Sequence, residues 1–293
     1  MGEPLPSSSR ALIAAYKENP SLPPSLPTIF FEIKQVIDDP HSSFTRIGEV
    51  IGKDQALTAR LLKLGNSALF GFPQRIDTIT EAVSVIGLQQ IRDLTLCTKV
   101  IEMFEGIPPD LIDIDSFWHH CIGTGIAARV LASHQRVPNI ERYFVAGLLH
   151  DIGRLVLCLQ LPEQMECIFN RARDEREFLF KVEQEVLGYD HAEVGAMLLA
   201  SWEIPEALSG AIAYHHRPTT APVFQAETAL VHVADIFAHA MELGDSGEYL
   251  VPSLSSEAWK RVDIRPTAFS AVLKEVDRQF LDVIGILLSS RGS

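Results

Sequence analysis

Asp54-Gln55-Ala56-Leu57-Thr58-Ala59-Arg60-Leu61-Leu62-Lys63-Leu64-Gly65-Asn66-Ser67-Ala68 carries the pattern that decides the fold. Asp54 has the short acceptor side chain that closes the start of a helix. Leu57, Leu61, Leu62 and Leu64 then gather on one side of a 3.6-residue repeat, and Gly65-Asn66 supplies the stop. The same signature continues in both directions. Upstream, Ile29, Ile33, Val36 and Ile37 share one face of a segment that Thr28 can cap and Pro40 closes, and Ile47, Val50 and Ile51 form a second stripe. Downstream, Asp77 or Thr78 opens a segment with Ile79, Ala82, Val83 and Ile86 that ends near Gly87, and Leu88 to Phe104 reads as a longer helix. Five helices are therefore expected by residue 104. Sustained two-residue alternation is missing throughout, so the fold class is all-α.

Glu105-Gly106-Ile107-Pro108-Pro109-Asp110 interrupts the pattern and marks a division. It separates an N-terminal helical subdomain, residues 21–105, from a second helical domain with a C-terminal extension, residues 111–293. Within the second, helices are expected at about 116–134, 140–160, 163–174, 178–187, 191–202, 205–216, 225–242 and 265–288. Residues 1–20, opening Met1-Gly2-Glu3-Pro4-Leu5-Pro6, read as a loose tail poor in apolar side chains.

Composition narrows the function. Lys and Arg number 25 against 38 Asp and Glu, and the net charge of -13 argues against nucleic acid and anionic membrane as partners. Cys97, Cys121, Cys158 and Cys167 form no CxxC pair and sit in apolar or amphipathic stretches, as reduced core thiols do. With no signal-like N-terminus and no apolar run of bilayer length, a cytoplasmic location is expected.

Chemistry points to the histidines. In Val145-Ala146-Gly147-Leu148-Leu149-His150-Asp151-Ile152-Gly153-Arg154, an apolar helix abruptly presents an imidazole beside a carboxylate. Buried there, Asp151 must have a partner, either a divalent cation or a hydrogen-bonded neighbour. His119-His120, His191, His215-His216 and Asp235 are further candidates, and His232 and His239 flank Asp235 at helical spacing. Each histidine alone is equally compatible with a hydrogen-bonded core residue, and the doublet at 215–216 with a favourable charge at a helix C-terminus.

The order and context of these residues carry a resemblance. Ala59-Arg60-Leu61-Leu62-Lys63-Leu64-Gly65-Asn66-Ser67, then Ala82-Val83-Ser84-Val85-Ile86-Gly87-Leu88, Phe117-Trp118-His119-His120, Leu148 to Arg154 and Gly188 to His216 resemble the HDOD proteins. These are a subgroup of the HD superfamily that also contains the HD-GYP phosphodiesterases. The resemblance implies an N-terminal helical layer packed on an HD-like bundle and a role in bacterial signal transduction. It also implies, by position, a ligand set: His120 first, His150 and Asp151 as the HD pair, then His191, His215, His216 and Asp235. His120 matches better than His119 because the related pattern places an aromatic pair and one residue before it. Seven ligands suffice for two divalent transition metals, with Fe or Mn favoured and Zn or Co open.

The chemistry implied is metal-assisted hydrolysis of a phosphate ester, with Asp151 at its centre and Arg154, where the HD-GYP enzymes carry lysine, as a phosphate contact. Arg154 reads equally well as a solvated residue near a helix end. Two further positions depart from the HD-GYP pattern. Arg217-Pro218-Thr219-Thr220-Ala221 stands where the GYP substrate loop would be, and Ser116 stands one turn before His120, where some related sites have a carboxylate. Two functions follow as expectations. One is a signalling module with a protein partner; the other is a metal-dependent phosphohydrolase or phosphodiesterase acting on a small nucleotide.

Overall fold

The computed structural model describes residues 25–104 and 106–289. The expected tail at 1–20 lies outside them. Up to residue 104 the described helices are α1 (Thr28–Asp38), α2 (Phe44–Ile51), α3 (Gln55–Gly65), α4 (Ile79–Ile86) and α5 (Leu88–Met103). Side chains close three of their starts: Ser43 accepts from the Arg46 amide, Asp54 from Leu57 and Thr78 from Glu81. Thr28 does not cap. It is the first helical residue, and Pro27 stands at the cap position without a side-chain bond. Gly87, at φ 104°, both ends α4 and starts α5, a turn that any side chain would strain.

Beyond the irregular segment around Gly106 come α6 (Ile114–His134), α7 (Glu141–Leu149), α8 (Ile152–Gln160), α9 (Pro162–Glu175), α10 (Leu179–Leu187), α11 (His191–Ser201), α12 (Glu206–Ala213), α13 (Gln225–Ala240), α14 (Ser256–Val262) and α15 (Pro266–Leu287). A short 3-10 turn, Pro218–Thr220, lies between α12 and α13. No strand occurs among the described residues.

Three elements differ from the sequence expectation. The helix expected at 140–160 is broken at His150-Asp151, where Asp151 takes φ -100° and ψ 6°. The one expected at 205–216 stops at Ala213, which leaves His215 and His216 in the turn after it. The third, α14, was not anticipated, because seven residues are too few to display a repeat.

At the centre lies α6, which packs against α7, α13 and α15, while α11 packs on α8 and α12 and α5 leans on α7. Phe117 and Trp118 of α6 are wholly buried, and Trp118 meets Phe104 edge-on at 6.4 Å, joining the N-terminal helices to the bundle. Among the described residues one stretch, Glu141–Gln160, has the length and apolar character to cross a bilayer, but 89% of its most apolar window is buried in the bundle. Two glycines let α6 and α7 approach: a Cβ on Gly147 would fall 2.7 Å from the Thr124 carbonyl oxygen and 2.7 Å from the Gly125 Cα. Their backbones thus touch near the turn that carries His120 and opposite the end that carries His150.

Gly147→Ala is accordingly expected to destabilise the fold by about 2 kcal/mol, since backbone, unlike a side-chain tip, cannot swing aside. Urea unfolding would show this as a lower midpoint at unchanged slope, and an unchanged midpoint would refute the close approach.

Candidate metal centre

Five parts of the bundle deliver polar side chains to one buried interior point. His120 comes from the second turn of α6, His150 and Asp151 from the break between α7 and α8, and His191 from the first position of α11. His215 and His216 follow α12, and Asp235 projects from the middle of α13. Of these seven only His216 retains partial exposure. They sort into two groups, Asp151 with His191, His215 and His216, and His120 with His150 and Asp235. Within each, one potential ligand atom per residue lies within 4.8 Å of all the others. His119 points elsewhere, edge-on to Phe280 of α15 at 6.2 Å.

The outer hydrogen bonds decide how the imidazoles point. His150 Nδ1 lies 2.7 Å from the Gly147 carbonyl oxygen, and His215 Nδ1 lies 2.7 Å from that of Ile212. A carbonyl only accepts, so each Nδ1 carries the proton and each Nε2 faces inward. His191 is held similarly. The Glu183 carboxylate accepts from its backbone amide at 2.8 Å and lies 2.6 Å from its Nδ1.

Apart from the Arg154 guanidinium beside His191, what faces these inward nitrogens is more acceptor. His150 Nε2 is 3.3 Å from Asp151 Oδ2 and 3.5 Å from Asp235 Oδ1; His120 Nε2 is 3.1 Å from Asp235 Oδ1. Asp151 Oδ1 meets His191 Nε2 at 3.0 Å and His215 Nε2 at 3.6 Å, and the Nε2 atoms of His191 and His216 approach to 2.8 Å. His150 Nε2, His215 Nε2, Asp151 Oδ1 and Asp235 Oδ1 are all buried without a hydrogen-bond donor. Lone pairs converging in a dry interior repel one another unless a cation lies between them, and imidazole with carboxylate suits a divalent one. The residues therefore fit divalent metal.

Electrostatics agree with that reading. Burial opposes ionisation of Asp151, but the adjacent Arg154 guanidinium holds its carboxyl well below the usual range; burial likewise opposes Asp235, which His239 and His120 hold low. Burial would also depress His150, yet Asp151 and Asp235 lift it to about 10, and Glu183 and Asp151 lift His191 to about 9 against burial and Arg154. Without a metal, protons are thus drawn to the nitrogens that a metal would occupy. His120, where burial dominates, falls to about 4.

Arg154 is wholly buried rather than solvated. Its Nη1 donates to Asp151 Oδ2 at 2.7 Å and to the Ser246 carbonyl at 2.7 Å, and its Nη2 lies 3.0 Å from His191 Nε2. His232 stands apart: its Nδ1 meets the His215 carbonyl at 2.7 Å and its Nε2 accepts from the Ser255 amide at 3.0 Å, so both nitrogens are occupied.

Three contributors went unassigned in the sequence. His239 sits one turn beyond Asp235, 3.3 Å from its Oδ1 and 4.4 Å from the His120 ring; its spacing to Asp235 was visible, its proximity to His120 was not. Glu183 left a faint signal, a charge beside Leu179 and Val182 on the buried side of α10. Phe180, stacked on the His216 ring at 4.4 Å and 11°, left none.

Comparison with known proteins agrees with the fold and bears on the family. The family model of the HDOD domain matches residues 23–218. An uncharacterized protein of Treponema pallidum (strain Nichols) is 30% identical over 201 residues, which cover 68% of this chain and 38% of that protein. This chain thus spans well under half the length of that relative. A candidate phosphohydrolase from Shewanella amazonensis SB2B has a similar structure, with a TM-score of 0.76 and 25% identity, covering 94% of this chain and 98% of its own. An HDOD domain protein of unknown function from Geobacter sulfurreducens shares the fold at a TM-score of 0.73 and 23% identity, with 96% of each chain covered. The matched region takes in more than half of the sequence and all of the ligand-bearing segments except that of Asp235, and on that match the chain belongs to the HDOD domain family.

Proposed function

We propose that this protein is a bacterial signal-transduction module whose second helical domain, beyond the division at 105–110, holds a binuclear divalent metal centre. Fe or Mn is favoured, and a protein partner reads the helical surface. The observation that carries the metal centre is the convergence of donorless lone pairs on His150, His215, Asp151 and Asp235. Asp151 touches both groups, lying against His150 through one oxygen and against His191 and His215 through the other, so it would help hold either ion.

Enclosure favours a regulatory role over free turnover. Six of the seven ligand residues are buried, and His216 alone among them is partly exposed. On the side of His216, the Phe180 ring covers the imidazole, and Arg217 lies over Phe180 at 5.9 Å while its Nη2 donates to Asp190 at 2.6 Å. This is the segment where a GYP loop would stand, and here it closes the site.

Phosphohydrolysis of a small nucleotide is the second reading, supported by the adjacent ligand groups and by the likeness to the Shewanella protein. Bound divalent ions would supply Lewis acidity toward phosphoryl oxygen and water. The chain's own part would be to keep Asp151 ionised through Arg154 and to fix the imidazoles through Gly147, Ile212 and Glu183. Arg154 is wholly buried and its Nη1 is committed to Asp151 and Ser246, so it is proposed first as a positioning residue.

Elemental analysis of untagged protein purified without chelator is expected to give about two transition-metal equivalents per chain, lost in His150→Ala and in Asp151→Ala. Metal-free wild type even after anaerobic reconstitution with Fe or Mn would end the proposal. Phe180→Ala should leave the metal content intact but speed its removal by chelator at least severalfold, since it uncovers His216; an unchanged rate would mean that the ions leave by another path. A nucleotide panel with the metal-loaded protein then separates the two readings: turnover abolished by Asp151→Ala at unchanged Tm selects the hydrolase, and inactivity selects the module.

A further inference from the structure

Some fourteen residues beyond His120, about 21 Å along α6 at 1.5 Å per residue, lies a second feature. A cleft of about 660 Å³ is formed by His134, Gln135, Arg136 and Val137 on one wall and by the Arg261–Arg265 segment with Ala268 on the other. Its second wall lies beyond the residues matched by the family model. On a chain of net charge -13, this cleft gathers Arg136, Arg261, Arg265 and His134 against a single carboxylate, Asp263.

Part of that charge has an ordinary explanation. Arg261 closes α14, and a cation at a helix C-terminus is favourable. Arg265 has no such reason. It stands at the cap position of α15, a helix of 22 residues, where the positive end of the dipole disfavours a cation. Neither Arg136 nor Arg265 has a side-chain hydrogen bond or ion pair among the described residues, and Arg261 spends one nitrogen on Gln225 Oε1 at 2.8 Å. Arg265 is thus a cation at a helix end of the same sign, and neither it nor Arg136 is neutralised by an ion pair among the described residues.

The walls are held in place rather than loosely apposed. Gln135 Nε2 donates to the carbonyl oxygens of Arg261 at 2.9 Å and Val262 at 2.7 Å, which ties the end of α6 to the end of α14. Between the arginines the lining is apolar: Val262 is buried, and Val137, Ile264 and Ala268 are half-buried. A free inorganic anion would use the rim and leave this floor wet. A ligand with phosphates at one end and an organic group at the other would use both, and the volume falls within the roughly 300–1,000 Å³ typical of small-molecule sites.

We propose that this cleft binds a nucleotide-sized phosphoester, its phosphates held by Arg136, Arg261 and Arg265 and its organic part on Val137, Ile264 and Ala268. The site is independent of the metal centre.

Calorimetric titration of the full chain with ATP, in magnesium-free buffer after chelator has been dialysed away, tests it. Saturable binding is expected, several-fold tighter than that of inorganic pyrophosphate. It should weaken by about tenfold in each of Arg136→Ala and Arg265→Ala and remain unchanged in Asp151→Ala. Asp263→Asn, which removes the opposing carboxylate at a left-handed position that asparagine tolerates, should tighten it. The assignment is overturned if wild type does not bind ATP, if the arginine variants bind as wild type does, or if Asp151→Ala abolishes binding, which would put the ligand at the metal cluster. Equal affinity for ATP and pyrophosphate would overturn the organic half.

Discussion

The carboxylates of Asp151 and Asp235 are the constraint on which the rest of the bundle turns. Both are buried among imidazoles, and in three of these, His150, His191 and His215, a carbonyl or a carboxylate holds Nδ1 on the far side of the ring. Such an arrangement costs several kcal/mol if left uncompensated, more than most single contacts return. The surrounding helices therefore have to be held at fixed separations by something other than the cluster itself. Backbone contact does this: Gly147 against Gly125 for α7 on α6, and Gly153 against the backbone of His191 and Gly195 for α8 on α11. Small residues sit where the helices cross, and the ligands sit within a turn or so of the crossings.

Much of this was legible in the sequence, for identifiable reasons. Caps such as Asp54 and Thr78 act through bonds three residues away, so helix starts could be read directly. His150-Asp151 stood out because a charged pair inside an apolar run contradicts its surroundings. The break at that pair did not show, because the apolar residues on either side keep helical spacing while the backbone steps out of register at Asp151 alone. The role of Glu183 depends on α10 lying over the start of α11, and that of Phe180 on a ring contact across the same gap. Neither has a signature within its own helix. In the sequence Arg154 is equally a solvated residue or a phosphate contact; burial makes it an internal partner of Asp151 instead.

The distribution of charge has a similar logic. A strongly acidic chain discourages polyanions in general, yet the bulk figure says nothing of where the cations stand. The arginines of the N-terminal helices are drawn inward or paired, as with Arg60 and Glu102, whereas Arg136 and Arg265, on the two walls of the second cleft, have no side-chain partner among the described residues. A local field of the minority sign is more selective on such a background than it would be on a basic protein, because diffuse attraction does not compete with it.

Arg154 reaches the segment between α13 and α14 through the backbone carbonyl of Ser246, not through a side chain. A main-chain oxygen is present whatever residue occupies the position. Substitutions along that segment can therefore accumulate without releasing the arginine, so long as the local backbone path is kept. The segment exposes Tyr249, Val251 and Leu254 at the surface while its base stays anchored to the buried cluster. Its outer face can thereby change without disturbing the anchorage beneath.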